Sequence, residues 1–105
     1  MKLIDYDFPD LKDADIAFST LRVDPNMLDE AKEQGFYKGH TPYNDLFSEL
    51  FFKGGKLNFK KDLDSEFKEK AFRYLQALMH SFEPRHEEKE AVCAFILSEL
   101  VEVES

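Results

Sequence analysis

A chain of 105 residues is long enough for one domain around one core and too short for two. Its formal charge of −8 disfavours nonspecific attachment to nucleic acid phosphate or to an anionic membrane. The single cysteine excludes an internal disulfide, and no apolar run approaches the ~18 residues of a membrane span. Eleven Phe, four Tyr and no Trp make the aromatic content mainly core material, since Phe has no polar atom to satisfy. Asp5, Asp7 and Asp10 interrupt the start of the chain, which therefore does not read as a secretory signal. With the lone cysteine, this leads us to expect a cytoplasmic protein.

Met1 to Phe8 alternates Ile4, Tyr6 and Phe8 with Asp5 and Asp7, a period of two that predicts an extended arm with one apolar face, stopped by Pro9. Asp10 to Leu21 reads as a helix through Leu11, Ala14, Phe18 and Leu21, although Ile16 and Phe18 also fit a strand. From Asp24 to Gln34 the helix signals agree with one another. Asp24 is an N-cap, Pro25 suits the first helical position, and Val23 and Leu28 sit where a hydrophobic staple meets. Gly35 is the left-handed stop, with Phe36 in the place of a Schellman contact. Met27, Leu28 and Ala31 should face inward.

Thr41-Pro42 opens another helix. Tyr43, Leu46, Phe47, Leu50 and Phe51 recur at three and four, opposite Asn44, Asp45, Ser48 and Glu49, and Gly54-Gly55 ends it. In the connector Lys56 to Lys61, Leu57 and Phe59 alternate with polar residues, as a few extended residues would. Asp62 or Asp64 caps the longest helix, which runs to about Phe82. Its stripe is Leu63, Phe67, Ala71, Leu75, Leu78 and Phe82, widened by Phe72, Tyr74 and Met79. On it Glu66 precedes Lys70, and Glu69 precedes Arg73, by four residues.

The last helix, Pro84 to Val103, carries seven consecutive apolar residues, Ala91 to Leu97, between acidic helix-forming flanks. Its centre should be buried nearly all round, with the other segments packed on it. The fold expected is all-α: a small four- or five-helix domain with a C-terminal antiparallel helical hairpin and an extended N-terminal arm. Tyr43–Phe52 would pack across the hairpin. The alternative is α+β, with a small sheet from Leu3–Phe8, Ile16–Val23 and Leu57–Phe59.

Candidate chemistry is sparse. His80, Glu83, His86, Glu87 and Glu90 gather around the turn between the last two helices, and His86, Glu90 and Cys93 share a helical face. His80, His86, Glu90 and Cys93 are thus the candidate metal ligands, set against a plainer interpretation. In that one, Cys93 is a small core residue and Glu87 to Glu90 a solvated face. Lys53-Gly54-Gly55-Lys56 with Lys60-Lys61 is the basic patch of the chain, but it lacks the Gly-Lys-Ser/Thr ending of a phosphate-binding loop. Glycines that stop a helix and lysines that complement its dipole are the simpler account of it. No serine has a nucleophile-elbow context, and Cys93 in an apolar run is expected to be inert. No cofactor is implied, and an enzyme is not expected.

Tyr6, Phe8, Phe36, Tyr37 and Phe52 lie outside the main stripes. They either form an apolar contact surface or tuck into the core. With Lys53, Lys56, Lys60 and Lys61 they are the candidate partner-binding residues. The function expected is a non-catalytic protein-interaction module, accessory, regulatory or inhibitory, with homodimerisation included. Two alternatives belong to other classes. One is an acidic mimic of DNA built from the carboxylates of residues 5–33 and 87–104. The other is a metal-binding enzyme or sensor at the turn between the last two helices.

Overall fold

In the computed structural model, residues 3–11, 21, 23–37, 43, 45–47, 49, 57–80 and 86–102 are described, His80 and His86 by their backbone alone. The described chain is mostly helical. A single 3-10 turn at Leu3–Asp5 is followed by α1 (Pro25–Glu33), α2 (Ser65–His80) and α3 (His86–Leu100). Helical backbone also occurs at residues 43, 45–47 and 49. No sheet forms among the described residues, so the α+β alternative finds no support there. One antiparallel bridge joins Phe59 to Val101.

α3 is the element on which the others rest. Every residue from Ala91 to Leu97 is buried to zero exposure, as the apolar run requires. α1 packs most extensively against it, and the Leu3–Asp5 turn and α2 also pack on it. Burial reaches further towards the start of α3 than expected. Lys89 is only 4% exposed, and Glu88 and Glu90 are half-buried, so Glu87 alone of residues 87–90 is exposed. The expected solvated face at Glu87 to Glu90 is corrected accordingly. A helix covered on all sides leaves little room for a polar stripe in its first turns.

The ends of α1 follow from local chemistry. Asp24 sits in extended backbone and its Oδ1 accepts the Asn26 N–H at 2.8 Å, with Pro25 opening the helix. At the other end Gly35 takes φ +85°, its N–H bonds the Lys32 carbonyl, and the Phe36 N–H bonds the Ala31 carbonyl at 3.0 Å. This pair of bonds is a Schellman motif, and only glycine adopts that backbone without strain. Met27 and Ala31 are fully buried and Leu28 half-buried, the inward face the spacing predicts.

The start of the chain departs from its expected phase. Ile4 is 56% exposed, while Leu3 is 1% exposed. The Tyr6 N–H reaches back to the Leu3 carbonyl at 2.9 Å and closes the 3-10 turn. That turn interrupts the alternation, rotating Leu3 inward and Ile4 outward, whereas Phe8 remains inside at 2% exposure.

Later segments agree with their pattern. Phe47 is buried, Tyr43 and Leu46 are half-buried, and Asp45 and Glu49 are exposed. The end of α3 is set by pairing. The Lys60 N–H bonds the Leu100 carbonyl at 3.0 Å, and the Glu102 N–H bonds the Asn58 carbonyl at 2.8 Å. These bonds flank the Phe59–Val101 bridge, and the helix stops at Leu100 rather than running on to Val103. The expected helix Asp10 to Leu21, the Gly54-Gly55 stop, and the turn around Glu83 and Pro84 lie wholly or largely outside the described residues.

Candidate functional site

The aromatic residues singled out from sequence divide by burial. Phe8 is a core residue. Its ring centroid lies 4.8 Å from Tyr6, 5.3 Å from Tyr74 and 5.5 Å from Phe67, in tilted and edge-on contacts. A side chain enclosed on three sides by rings has no face left for a partner, which corrects its place among the candidate anchors.

Tyr6 is half-buried, and its hydroxyl is engaged. It donates to Asp24 Oδ2 at 2.9 Å. The Tyr74 ring packs edge-on against Tyr6 at 6.4 Å between centroids. Three segments thus meet around the Tyr6–Asp24 hydrogen bond: the N-terminal residues, the start of α1 and the middle of α2. Burial, followed by the hydrogen bond and the charge of Asp24, pushes the Tyr6 phenol up to about 12. Burial likewise raises the Tyr74 phenol, with Tyr6 and Asp24 adding to it. Tyr6 serves here as a structural donor, and neither phenol, held protonated, is poised as a base near neutral pH.

Phe36 and Tyr37 differ from that pair. Both are half-buried in the turn after α1. Phe36 meets the Tyr43 ring edge-on at 6.1 Å between centroids. Tyr37 has the Lys32 Nζ over its ring, 5.0 Å from the centroid, within the range of a cation–π contact. A Cβ placed at Gly35 would meet nothing within 4 Å, so the turn faces open space. Asp29, Lys32, Glu33 and Gln34 are all exposed beside it.

The metal candidates resolve in part. Cys93 is fully buried, and burial drives its thiol strongly upward, with nearby Lys89 opposing and Glu90 reinforcing the shift. A thiol that stays protonated is neither nucleophile nor ready ligand. Glu90 is half-buried one turn earlier on α3, and the side chains of His80 and His86 lie outside the described residues. Among the described residues no group of three or more His, Cys, Asp or Glu could hold a metal ion. No family model, curated protein or solved structure matches the chain.

Of the basic patch, Lys60 is half-buried and Lys61 exposed, while Phe52, Lys53 and Lys56 lie outside the described residues. A cleft of about 220 Å³, lined by Asp10, Glu66, Glu69, Lys70 and Arg73, opens on α2. Its cations are engaged by its own acids. Arg73 Nη2 donates to Glu69 Oε1 at 2.6 Å, and Lys70 Nζ lies 4.0 Å from Glu66 Oε1, the two i,i+4 pairs legible in the sequence. Such exposed pairs are worth little energetically, and they leave neither cation of the cleft without an acidic neighbour. Among the described residues no helix is long and apolar enough to cross a membrane.

Sequence reasoning missed two features. One is the meeting of Tyr6 with Asp24 and Tyr74, which joins residues distant in the chain and leaves no local signal. The other is the Lys32–Tyr37 contact. Its signal was present, since a lysine in the last turn of a helix lies near residues just beyond a Schellman stop.

Proposed function

We propose that the chain is a non-catalytic protein-interaction module whose contact surface centres on the turn after α1. The observation that carries this is the pair Phe36 and Tyr37, half-exposed beside a glycine that faces open space. Aromatic side chains with one face packed and one face available are the usual anchors of protein interfaces, and surrounding charges select partners and steer encounter. The buried thiol and the phenols held protonated supply no catalytic group and support a role without chemistry. The architecture proposed around this surface keeps α2 and α3 as an antiparallel hairpin, favoured by the short link between them, with the N-terminal residues as an arm across the bundle.

The test is affinity capture from a lysate with wild-type protein and with Tyr37→Ala, followed by mass spectrometry. Proteins retained by the wild type and lost from a variant with unchanged far-UV circular dichroism support the proposal. A retained set that is identical for both proteins removes this surface from consideration. Loss of helical signal in the variant would make Tyr37 a core residue and defeat the proposal in another way.

A further inference from the structure

We infer that the α1 turn receives an arginine-bearing segment of a basic protein partner, whose guanidinium stacks on Tyr37 in the place now held by Lys32. This inference rests on the interaction role proposed above and specifies its partner.

Three observations lead to it. The Tyr37 ring already has a cation over it, so that face is open to a positive group and electrostatically suited to one. The occupant is Lys32, an exposed side chain of the same helix whose hold on the ring is solvated and therefore replaceable. Exposed acids occur on the same side of α1: Asp29 and Glu33 both lie away from the buried Met27 and Ala31, and Asp29 is on the i,i+3 row with Lys32. A guanidinium stacks on an aromatic plane and donates to carboxylates at its edge, whereas an ammonium does one of these well at a time. The net charge of −8 favours the approach of a basic segment over an acidic one. Lys32 then acts as an internal placeholder. It satisfies the ring while the partner is absent and competes with the arginine when it arrives.

The experiment uses a fluorescent synthetic peptide containing two arginines spaced by glycine and serine, and a matched peptide with citrulline, in fluorescence anisotropy at low salt. The arginine peptide should bind and the citrulline peptide should not. Tyr37→Leu, which keeps an apolar side chain and removes the π face, should weaken binding about fivefold. Lys32→Met should tighten binding by more than Lys68→Met, which makes the same charge change at a half-buried lysine of α2. Equal effects of the two lysine variants, or undiminished binding by a folded Tyr37→Leu, would reduce the effect to general attraction by an acidic protein and overturn the inference. Tyr37-dependent capture from a lysate together with Tyr37-independent peptide binding would sink the arginine assignment and leave the interaction role standing. Capture that ignores Tyr37 would remove that role itself.

Discussion

Replacing Phe8 by alanine tests whether the N-terminal segment belongs to the core. Phe8 is 2% exposed and touches the rings of Tyr6, Phe67 and Tyr74 at centroid distances of 4.8, 5.5 and 5.3 Å. Truncating a buried Phe to Ala loses its transfer free energy and leaves a cavity, together about 3–5 kcal/mol. Three aromatic neighbours held by α2 and the chain start relax poorly, so the upper half of that range applies. A domain of this length has roughly 5–15 kcal/mol in all, and the variant therefore gives up a large fraction. With a urea slope of about 1.5 kcal/mol/M, the midpoint should fall by roughly 3 M. Phe8→Leu should cost less than half as much. Ile4→Ser, four residues earlier and 56% exposed, should stay within about 0.5 kcal/mol of wild type. Equilibrium urea unfolding followed by circular dichroism measures all three. A midpoint shift below ~0.5 M for Phe8→Ala would mean that residues 3–8 detach without cost, and the burial argument would fail.

Gly35→Ala should destabilise by about 1–2 kcal/mol, the cost of a Cβ in the left-handed region; open space around the site adds nothing to it. Gly35→Asn should cost less, and equal urea midpoints for all three proteins would contradict the φ of +85°. Tyr6→Phe removes the donor to Asp24 and should cost about 1 kcal/mol at pH 7. The Tyr6 phenol lies near 12 in the fold and near 10 in the unfolded chain. Its contribution is therefore complete below about pH 10 and is lost as pH rises towards 12, so wild type should lose stability there more steeply than Tyr6→Phe. Parallel alkaline unfolding curves would refute this. Cys93 should be silent to a thiol reagent in the native protein and react fully after denaturation; rapid native reaction would show that it is not buried.

Legibility in the sequence tracked the range of the forces involved. α1 was readable almost to the residue because Asp24, Pro25, Gly35 and Phe36 act within one turn of themselves. The burial of Ala91 to Leu97 was readable because seven apolar residues in a row admit no polar face. Leu3 and Ile4 exchanged places because one backbone bond from Tyr6 reset the phase, and a short segment has no second repeat to correct it. The last helix ends sooner than its own pattern implies because residues 58–60 pair with its end from elsewhere in the chain. The site was less legible than the fold. Tyr6, Phe8, Phe36 and Tyr37 look equivalent as spare aromatics, and tertiary packing alone sends Phe8 inside and leaves Tyr37 beneath a lysine.

Asp24 occupies a position with very little freedom to vary. One of its carboxylate oxygens holds the α1 cap and the other accepts from Tyr6. Serine or threonine would cap the helix equally well but offers a single oxygen. Asparagine fills the space, but its amide nitrogen would face the Tyr6 hydroxyl as a donor. The hydroxyl would then have to accept and turn its proton elsewhere. Glutamate keeps both oxygens on a stem too long for the cap. Of the residues that start helices well, aspartate alone can do so here while also tying the chain start to α1. A library randomised at this codon should therefore return aspartate far above the other capping residues.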